Sequence, residues 1–194
     1  MFQVRIHGRG GQGVVSAAEM LSLAAFDEGR FAQAFPSFGS ERMGAPVTAF
    51  CRFDDREIRS REPVIEPDAL IIQDPTLLHQ IDLFSGLTAT GFILINSTRS
   101  FEELGLGEFV VKFGPRNVCT VAATELALKH VGRPLPNAAL LGGFAAISGQ
   151  LTFDSVARAI ENKFPGKVGK ANAAAARDAY DAVLAARQAE PVDA

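Results

Sequence analysis

The chain has 194 residues, a length that suits one domain or one domain with a helical appendage. Hydrophobic residues make up 47% and charged residues 21%, a balance typical of globular proteins that excludes wholesale disorder. The formal net charge is −3 without any run of Lys or Arg, so nucleic acid is not an expected partner. The sequence has no apolar run long enough for a membrane span and no signal peptide, so we expect no membrane association and a cytoplasmic location.

Residues 1–29 have the pattern of a strand, a glycine loop and a helix. Apolar and polar residues alternate over 2–7, the segment 8–13 reads Gly-Arg-Gly-Gly-Gln-Gly, and apolar residues recur at helical spacing over 14–25. Gly29 then predicts the carboxyl-terminal cap of that helix. His7, beside the loop, is the histidine that we expect to orient the loop or to meet a phosphate.

The next segment is predicted to be antiparallel. Residues 30–35 and 45–53 read as extended runs, and 54–57 as the turn of a hairpin that returns through Ile58. The short apolar runs 69–73 and 91–96 are typical of parallel strands covered on both faces. Residues 110–113 predict one more short strand.

From about residue 117 onward the pattern is helical. Asn117 is predicted to cap a helix that ends near Gly132, and further helices are expected over 137–148, around 156–164 and over 170–187. The predicted fold class is therefore α/β: a three-layer-like mixed sheet with helices on its faces, a glycine-rich loop after the first strand and a helical carboxyl-terminal third. We assign one domain to residues 1–187 and a disordered tail to 188–194.

Two cysteines, Cys51 and Cys119, are too few and too far apart for an iron–sulfur cluster or a structural zinc site on this chain alone. Any redox centre is then expected on a partner. We predict that both are buried thiols, with Cys51 in a strand and Cys119 at the start of a helix.

The glycine loop has two physical interpretations, which the residues alone leave open. Glycines let a backbone approach a phosphate at a helix amino terminus, where free N–H groups and the helix dipole favour an anion. They equally permit close packing of a strand against a helix. The candidate cofactor-binding residues of this loop are Gly8, Arg9, Gly10, Gly11, Gln12 and Gly13.

A free-standing nicotinamide-dependent oxidoreductase is the alternative that the glycine spacing raises. That class needs an acidic residue at the end of the second strand to hold the ribose, and the run 30–35 ends without one. Tyr180, the single tyrosine, lies in the last predicted helix and is poorly placed as a proton donor. A pure assembly subunit is a third alternative.

Two motifs in this order carry a resemblance to a known family. The segment 6–13, Ile-His-Gly-Arg-Gly-Gly-Gln-Gly, is followed by 36–47, Pro-Ser-Phe-Gly-Ser-Glu-Arg-Met-Gly-Ala-Pro-Val. Together they resemble the gamma subunit, or gamma domain, of the pyruvate/2-oxoacid:ferredoxin oxidoreductases. The family's second motif usually has an arginine where this chain has Met43.

The resemblance implies a subunit without catalytic residues of its own. Members of the family oxidise a 2-oxoacid to acyl-coenzyme A, with thiamine diphosphate, magnesium and iron–sulfur clusters on partner subunits. The implied partners are thiamine-binding alpha and beta subunits and a ferredoxin-like delta subunit. The resemblance further implies that this chain binds no cofactor alone but contributes to the coenzyme A side, with Ser37 and Arg42 of the second motif added to the candidate binding residues.

Overall fold

The computed structural model describes residues 1–37 and 43–189. Its strands are β1 (Phe2–Arg9), β2 (Phe31–Pro36), β3 (Pro46–Asp54), β4 (Ala69–Ile72), β5 (Phe92–Asn96) and β6 (Val118–Val121). Its helices are α1 (Val14–Asp27), α2 (Gly107–Val110), α3 (Ala123–Val131), α4 (Asn137–Ser148), α5 (Phe153–Lys163) and α6 (Gly166–Ala189), with short 3₁₀ helices at Pro75–His79 and Pro115–Asn117.

The strands form a mixed sheet in the order β2-β3-β1-β4-β5-β6. β3 runs antiparallel to both β1 and β2, and these three strands are called the antiparallel half below. β1 is parallel to β4, which continues in parallel to β5 and then β6; β4, β5 and β6 are called the parallel half. The carboxyl ends of β1, β4, β5 and β6 therefore meet at one edge of the sheet.

One face of the sheet carries the main hydrophobic core. Helix α1 packs against β2 and β3, whereas α4 packs against the parallel half and is itself covered by α5 and α6. Phe53, Leu94, Phe144 and Val183 from these layers are almost fully buried. Since each large apolar side chain contributes roughly 1.5–3 kcal/mol on burial, this layer supplies much of the stability.

The opposite face differs between the two halves. Under the parallel half lies a second apolar cluster, in which Ile72, Leu83, Ile93 and Phe113 are buried. The antiparallel half has a more polar opposite face, where Arg5, His7 and Arg52 are at most 8% exposed and lie beside the aromatic pair Phe35–Phe50. The loops after β3 and β4 cover it: Arg5 donates to the carbonyls of Leu83 and Ser85, and Arg52 donates to the carbonyl of Glu62.

The predicted fold class is confirmed: the sheet is mixed, helices cover it, and helices dominate the carboxyl-terminal part. The alternation over 2–7 and the apolar runs 69–73 and 91–96 form strands as predicted. Gly29 and Gly132 follow the ends of α1 and α3 with φ values of +79° and +75°, the left-handed geometry that glycine adopts without strain.

The predicted helix start at Asn117 was wrong, because a strand intervenes. Residues 118–121 form β6 and pair with β5, and the helix begins only at Ala123. Cys119 therefore lies on a strand rather than at a helix terminus. Asn117 does not cap a helix; its side-chain amide donates to the carbonyl of Thr90. The β-branched residues Val118, Thr120 and Val121, three of the four residues of this run, were the signal for the strand.

Three further predictions are corrected. Residues 110–113 are not a strand: Val110 ends the single-turn helix α2, where its side chain is buried beside that of Phe113. The hairpin returning through Ile58 does not form, since both sides of β3 are already occupied by β1 and β2. Helix α6 begins at Gly166 and continues to Ala189, so residues 188 and 189 are helical; residues 190–194 lie outside the described part. The assignment of one domain stays a prediction.

Candidate functional site

The glycine loop turns the chain sharply from β1 into α1. Gly13 precedes the helix with a φ of +70°, a conformation that favours glycine. Gly8 lies within β1, and a β-carbon there would come within 2.6 Å of the Val14 side chain. The loop backbone also pairs with the segment before β3, through hydrogen bonds of Gly10 with the carbonyl of Ala45 and with the N–H of Gly44. Close packing is thus one demonstrated reason for these glycines.

The side chain of Arg9 is held by partners within the chain. Its Nε lies 3.1 Å from Asp74 Oδ2, and other guanidinium N–H groups donate to Thr76 Oγ1, Gln80 Oε1 and the carbonyl of Gly44. The guanidinium therefore ties the glycine loop to the turn after β4 and to the entry of β3. A ligand role for Arg9 stays a prediction.

Asp74 is the centre of this network. Burial alone would raise the pKa of its carboxyl group, but hydrogen bonds from Thr76 and Gln12, together with the charge of Arg9, outweigh burial and hold that pKa below its usual value. Asp74 is therefore an ionised carboxylate whose charge Arg9 compensates. Asp74 also caps the 3₁₀ helix Pro75–His79 by accepting from the N–H of Thr76.

His7 has no free ring nitrogen. Its Nε2 accepts a hydrogen bond from Arg5 Nε at 3.0 Å, which leaves Nδ1 to donate to Thr48 Oγ1 at 3.2 Å. Burial, and secondarily the charge of Arg5, lowers the pKa of His7 to about 3. His7 is thus a neutral structural group behind the glycine loop. Because both ring nitrogens are already hydrogen-bonded, neither is free for the predicted contact with a phosphate.

A cleft of about 590 Å³ opens at the carboxyl ends of β4, β5 and β6, next to the glycine loop. Its lining comprises Gln12, Gln73, Asp74, Pro75, Asn96, Ser97, Thr98, Arg99, Ala122, Thr124, Glu125, Pro134 and Pro136. It lies where ligands of open α/β sheets bind. Most of the polar side chains in the lining set are amides, hydroxyls and an arginine, which suit binding and orientation of a ligand.

Asn96 fixes the floor of this cleft. The Nδ2 group donates to the carbonyl of Gln73 and to Thr124 Oγ1, both at 2.8 Å, while Oδ1 accepts from the N–H of Thr124. The N–H of Gln73 donates in turn to the carbonyl of His7. These bonds lock the ends of β1, β4 and β5 and the start of α3 together, so the cleft has a pre-organised floor.

The charges around the cleft are few. Arg9 compensates Asp74, which leaves Arg99 as the one basic residue and Glu125 as the one further acid of the lining set. Arg99 follows β5 and is exposed. An anionic group of a ligand would find its charge partner at this mouth.

Of the predicted binding residues, the structure brings Gln12 to the cleft and places the rest of the glycine loop beside it. Ser37 is exposed at the end of β2, where its N–H donates to the carbonyl of Thr48. Arg42 lies outside the described residues. Sequence reasoning missed Gln73, Asn96 and Arg99. Gln73 and Asn96 end the predicted parallel strands 69–73 and 91–96 and Arg99 follows shortly after the second, positions that would have indicated them.

Two other properties concern the described residues as a whole. Among residues 1–37 and 43–189, no three His, Cys, Asp or Glu side chains are arranged to hold a metal ion. No helix within these ranges is long and apolar enough to cross a membrane.

Cys51 and Cys119 are buried free thiols, and burial raises the pKa of both, that of Cys119 to about 11.

Comparison with known proteins assigns nearly the whole chain to one protein family. Residues 3–182 match the family model of pyruvate ferredoxin/flavodoxin oxidoreductase. The chain is 44% identical to pyruvate synthase subunit PorC of Methanothermobacter thermautotrophicus, over 94% of this chain and 96% of that protein. It is 45% identical to the common gamma subunit of the pyruvate/ketoisovalerate oxidoreductases of Pyrococcus furiosus, over 93% and 96% of the two chains.

A solved structure agrees with these relatives. The crystal structure of pyruvate oxidoreductase subunit PORC from Thermotoga maritima superposes with a TM-score of 0.77 and 36% identity, covering 93% of this chain and 95% of that one. These full-length matches support the subunit interpretation over a free-standing nicotinamide-dependent enzyme. The chain belongs to the pyruvate ferredoxin/flavodoxin oxidoreductase family and is a gamma-type subunit of these oxidoreductases.

Proposed function

We propose that this chain is the non-catalytic gamma subunit of a complex that oxidatively decarboxylates pyruvate or a related 2-oxoacid to an acyl-coenzyme A, and that the cleft receives part of coenzyme A. The proposal depends mainly on one observation: a pre-organised polar cleft lies at the carboxyl edge of the parallel strands, beside the glycine loop. The relatives named above act on pyruvate or ketoisovalerate, which supports this substrate class.

The charge distribution supports an anionic ligand at the mouth of the cleft. Coenzyme A carries phosphate groups between an aromatic base, whose flat faces are apolar, and an amide-bearing arm. Arg99 provides an exposed guanidinium for a phosphate, and Pro134, Pro136 and Ala122 provide apolar wall. Since Arg9 compensates the charge of Asp74, that carboxylate repels a phosphate less than a free one would.

The chemistry of the reaction is assigned to partners. We assign thiamine diphosphate with its magnesium, which would supply the carbanion chemistry, and the iron–sulfur clusters, which would accept electrons, to alpha, beta and ferredoxin-like delta subunits. The two cysteines of this chain lie in β3 and β6 on separate strands of the sheet and are buried, a poor arrangement for ligating a cluster. This chain would bind and orient coenzyme A while its thiol reacts on the neighbouring subunits.

The end of β2 at Pro36 and the start of β3 at Pro46, which the connection 37–45 joins, lie at the same edge of the sheet as the cleft. We propose that it contacts the thiamine-binding subunits, which would place their active site next to the cleft. Arg42, within that connection, remains a candidate contact. From the sequence alone, we also propose a cytoplasmic location for the complex.

The test uses the assembled complex with Arg99→Ala in this subunit. Losing one charge-assisted contact to a phosphate is expected to raise the KM for coenzyme A roughly tenfold. Reduction of the clusters by the 2-oxoacid in the absence of coenzyme A should be unchanged, because Arg99 is remote from that half-reaction in the proposed scheme. Both quantities can be measured from cluster absorbance and acyl-coenzyme A formation.

Arg116→Ala is the matched control. Arg116 is also an exposed arginine, but it lies before β6, at the opposite edge of the sheet. The KM for coenzyme A should stay at the wild-type value in this variant. An unchanged KM in the assembled Arg99→Ala complex would remove the cleft as a coenzyme A site and leave the chain as an assembly subunit.

A further inference from the structure

Three side-chain amides line the cleft, and they differ in how their polar atoms are used. Gln12 Oε1 accepts from the N–H of Arg9, and Gln12 Nε2 donates to Asp74. Both amide atoms of Asn96 bond to neighbours in the floor. Gln73 Nε2 donates to the carbonyl of Gln12 at 2.9 Å, whereas Gln73 Oε1 has no hydrogen-bond partner among the described residues.

The orientation of the Gln73 amide is fixed by its partner. The Gln12 carbonyl can only accept, so a flipped amide would place two oxygens against each other. The backbone of Gln73 is bonded as well: its N–H donates to the carbonyl of His7, and its carbonyl accepts from the side chain of Asn96. Oε1 is thus the one unsatisfied atom of a residue whose other polar atoms are all engaged.

An unsatisfied acceptor at this depth is unfavourable. Gln73 is only 1% exposed, and a buried oxygen without a donor loses its hydration without compensation. A binding site recovers this free energy when its ligand brings the missing donor. The side chain belongs to the lining of the cleft, so a ligand in the cleft would lie next to this residue.

We propose that Gln73 Oε1 accepts a hydrogen bond from the 6-amino group of the adenine ring of coenzyme A, which makes Gln73 a specificity-determining residue of the cleft. This inference rests on the proposed function of the cleft. The ring would lie against the apolar wall of Ala122, Pro134 and Pro136, with the phosphates toward Arg99 at the mouth. A nucleobase with a carbonyl oxygen in place of the amino group would set two acceptors against each other.

A ligand-side experiment tests this assignment without altering the protein. In 1,N6-etheno-coenzyme A the exocyclic nitrogen is part of an added ring and has no N–H to donate. The wild-type complex should bind this analogue roughly tenfold more weakly than coenzyme A, the usual effect of leaving one buried acceptor unpaired. Equal affinity for the two ligands would overturn the proposal.

The matching variant is Gln73→Met, which keeps the length of the side chain and removes the amide group, both Oε1 and the Nε2 that donates to Gln12. Its affinity for coenzyme A should fall roughly tenfold, and coenzyme A and the etheno analogue should then bind equally. If the etheno analogue still binds more weakly than coenzyme A to Gln73→Met, other residues sense the added ring, and the proposal is also overturned. Gln150→Met, at the far end of α4, is the control and should behave as wild type.

Failure of this inference is separable from failure of the proposed function. If Arg99→Ala raises the KM for coenzyme A but the etheno analogue binds normally, the cleft remains the coenzyme site and the adenine contact is rejected. If 3′,5′-ADP fails to compete with coenzyme A while pantetheine competes, the cleft holds the pantetheine arm, and the adenine assignment is again rejected.

Discussion

The two halves of the sheet bury different kinds of side chain on the face turned away from the main hydrophobic core. The parallel half covers apolar clusters on both sides and places its polar groups at one end, in the cleft. The antiparallel half is apolar toward α1, whereas its other face buries Arg5, His7 and Arg52 next to Phe50. The comparison indicates that binding capacity is concentrated at the end of the parallel strands, while the buried charges of the antiparallel half fix the shape of the sheet behind the glycine loop.

The largest expected effect concerns the helical layer that supports the parallel half. A β-carbon at Gly142 of α4 would overlap the backbone carbonyl of Ala176 in α6. Because a backbone cannot move aside as a side chain can, Gly142→Ala should lower the free energy of unfolding by about 3 kcal/mol or more. Urea unfolding of the purified chain measures this.

Gly143→Ala is the control for that change. Its β-carbon would meet mainly side-chain atoms, the nearest being a methyl of Leu94 at 3.1 Å. We expect an effect within about 1 kcal/mol, because the side chain can adjust and alanine is the better helix former. Similar losses in the two variants would contradict close α4–α6 backbone packing.

The second effect distinguishes the antiparallel half by its pH dependence. His7 has a folded pKa of about 3 against an ordinary value of 6.5, so the folded state keeps it neutral. Above pH 6.5, His7 does not make the unfolding free energy depend on pH. Below pH 6.5, His7 becomes protonated in the unfolded chain but stays neutral in the folded chain. Stability should therefore fall by about 1.4 kcal/mol per pH unit below 6.5, or about 2 kcal/mol by pH 5.

His7→Gln removes the titrating group while retaining an acceptor for Arg5 and a donor for Thr48. The difference in stability between wild type and variant should therefore shift steadily in favour of the variant as the pH falls from 6.5 to 5. Carboxylates contribute to the acid slope of both proteins alike, so the difference isolates His7. A difference that is constant over this range would show that His7 is not held neutral.

The third effect lies where the two halves meet. Arg9→Ala removes the bonds to Asp74, Thr76, Gln80 and the carbonyl of Gly44. Since the pair is partly exposed and screened by solvent, we expect a loss of about 1–2 kcal/mol in unfolding free energy. Arg56→Ala, at an exposed arginine in the turn after β3, should change stability by less than about 0.5 kcal/mol.

An Arg9→Ala protein as stable as the Arg56→Ala control would show that the network around Asp74 does not hold the glycine loop. Should stability fall as expected while coenzyme A binding stays normal in the complex, Arg9 is a structural clamp only, and its predicted ligand role is rejected.

The sequence predicted the parallel strands and the glycine turn because their signals are local. Alternating or continuous apolar runs and a glycine cluster at 8–13 each indicate one structure. It failed at β6, since the pairing of residues 118–121 with β5 depends on a neighbour distant in sequence. A short segment led by Asn117 resembles a helix start when that neighbour is not considered.

The site was predicted less fully than the fold. The glycine loop was identified, but most of the bonds that occupy Arg9 come from residues 74–80, more than sixty positions away in the sequence. The unpaired oxygen of Gln73 is likewise a property of the folded arrangement, because its neighbours Gln12 and Asn96 are distant in the chain. The positions of the strand ends were the main sequence signal for this cleft. They indicate a common site only once the order of the strands in the sheet is known.

The central claim is that coenzyme A binds at the cleft of the parallel half. Hydrogen–deuterium exchange of the assembled complex, with and without coenzyme A, tests this most directly, since backbone amides covered by a ligand exchange more slowly. We predict added protection in residues 73–76, 96–99 and 122–125, and none in residues 47–53 of β3. Protection of β3 without protection of the strand ends, or protection in the partner subunits alone, would contradict the claim.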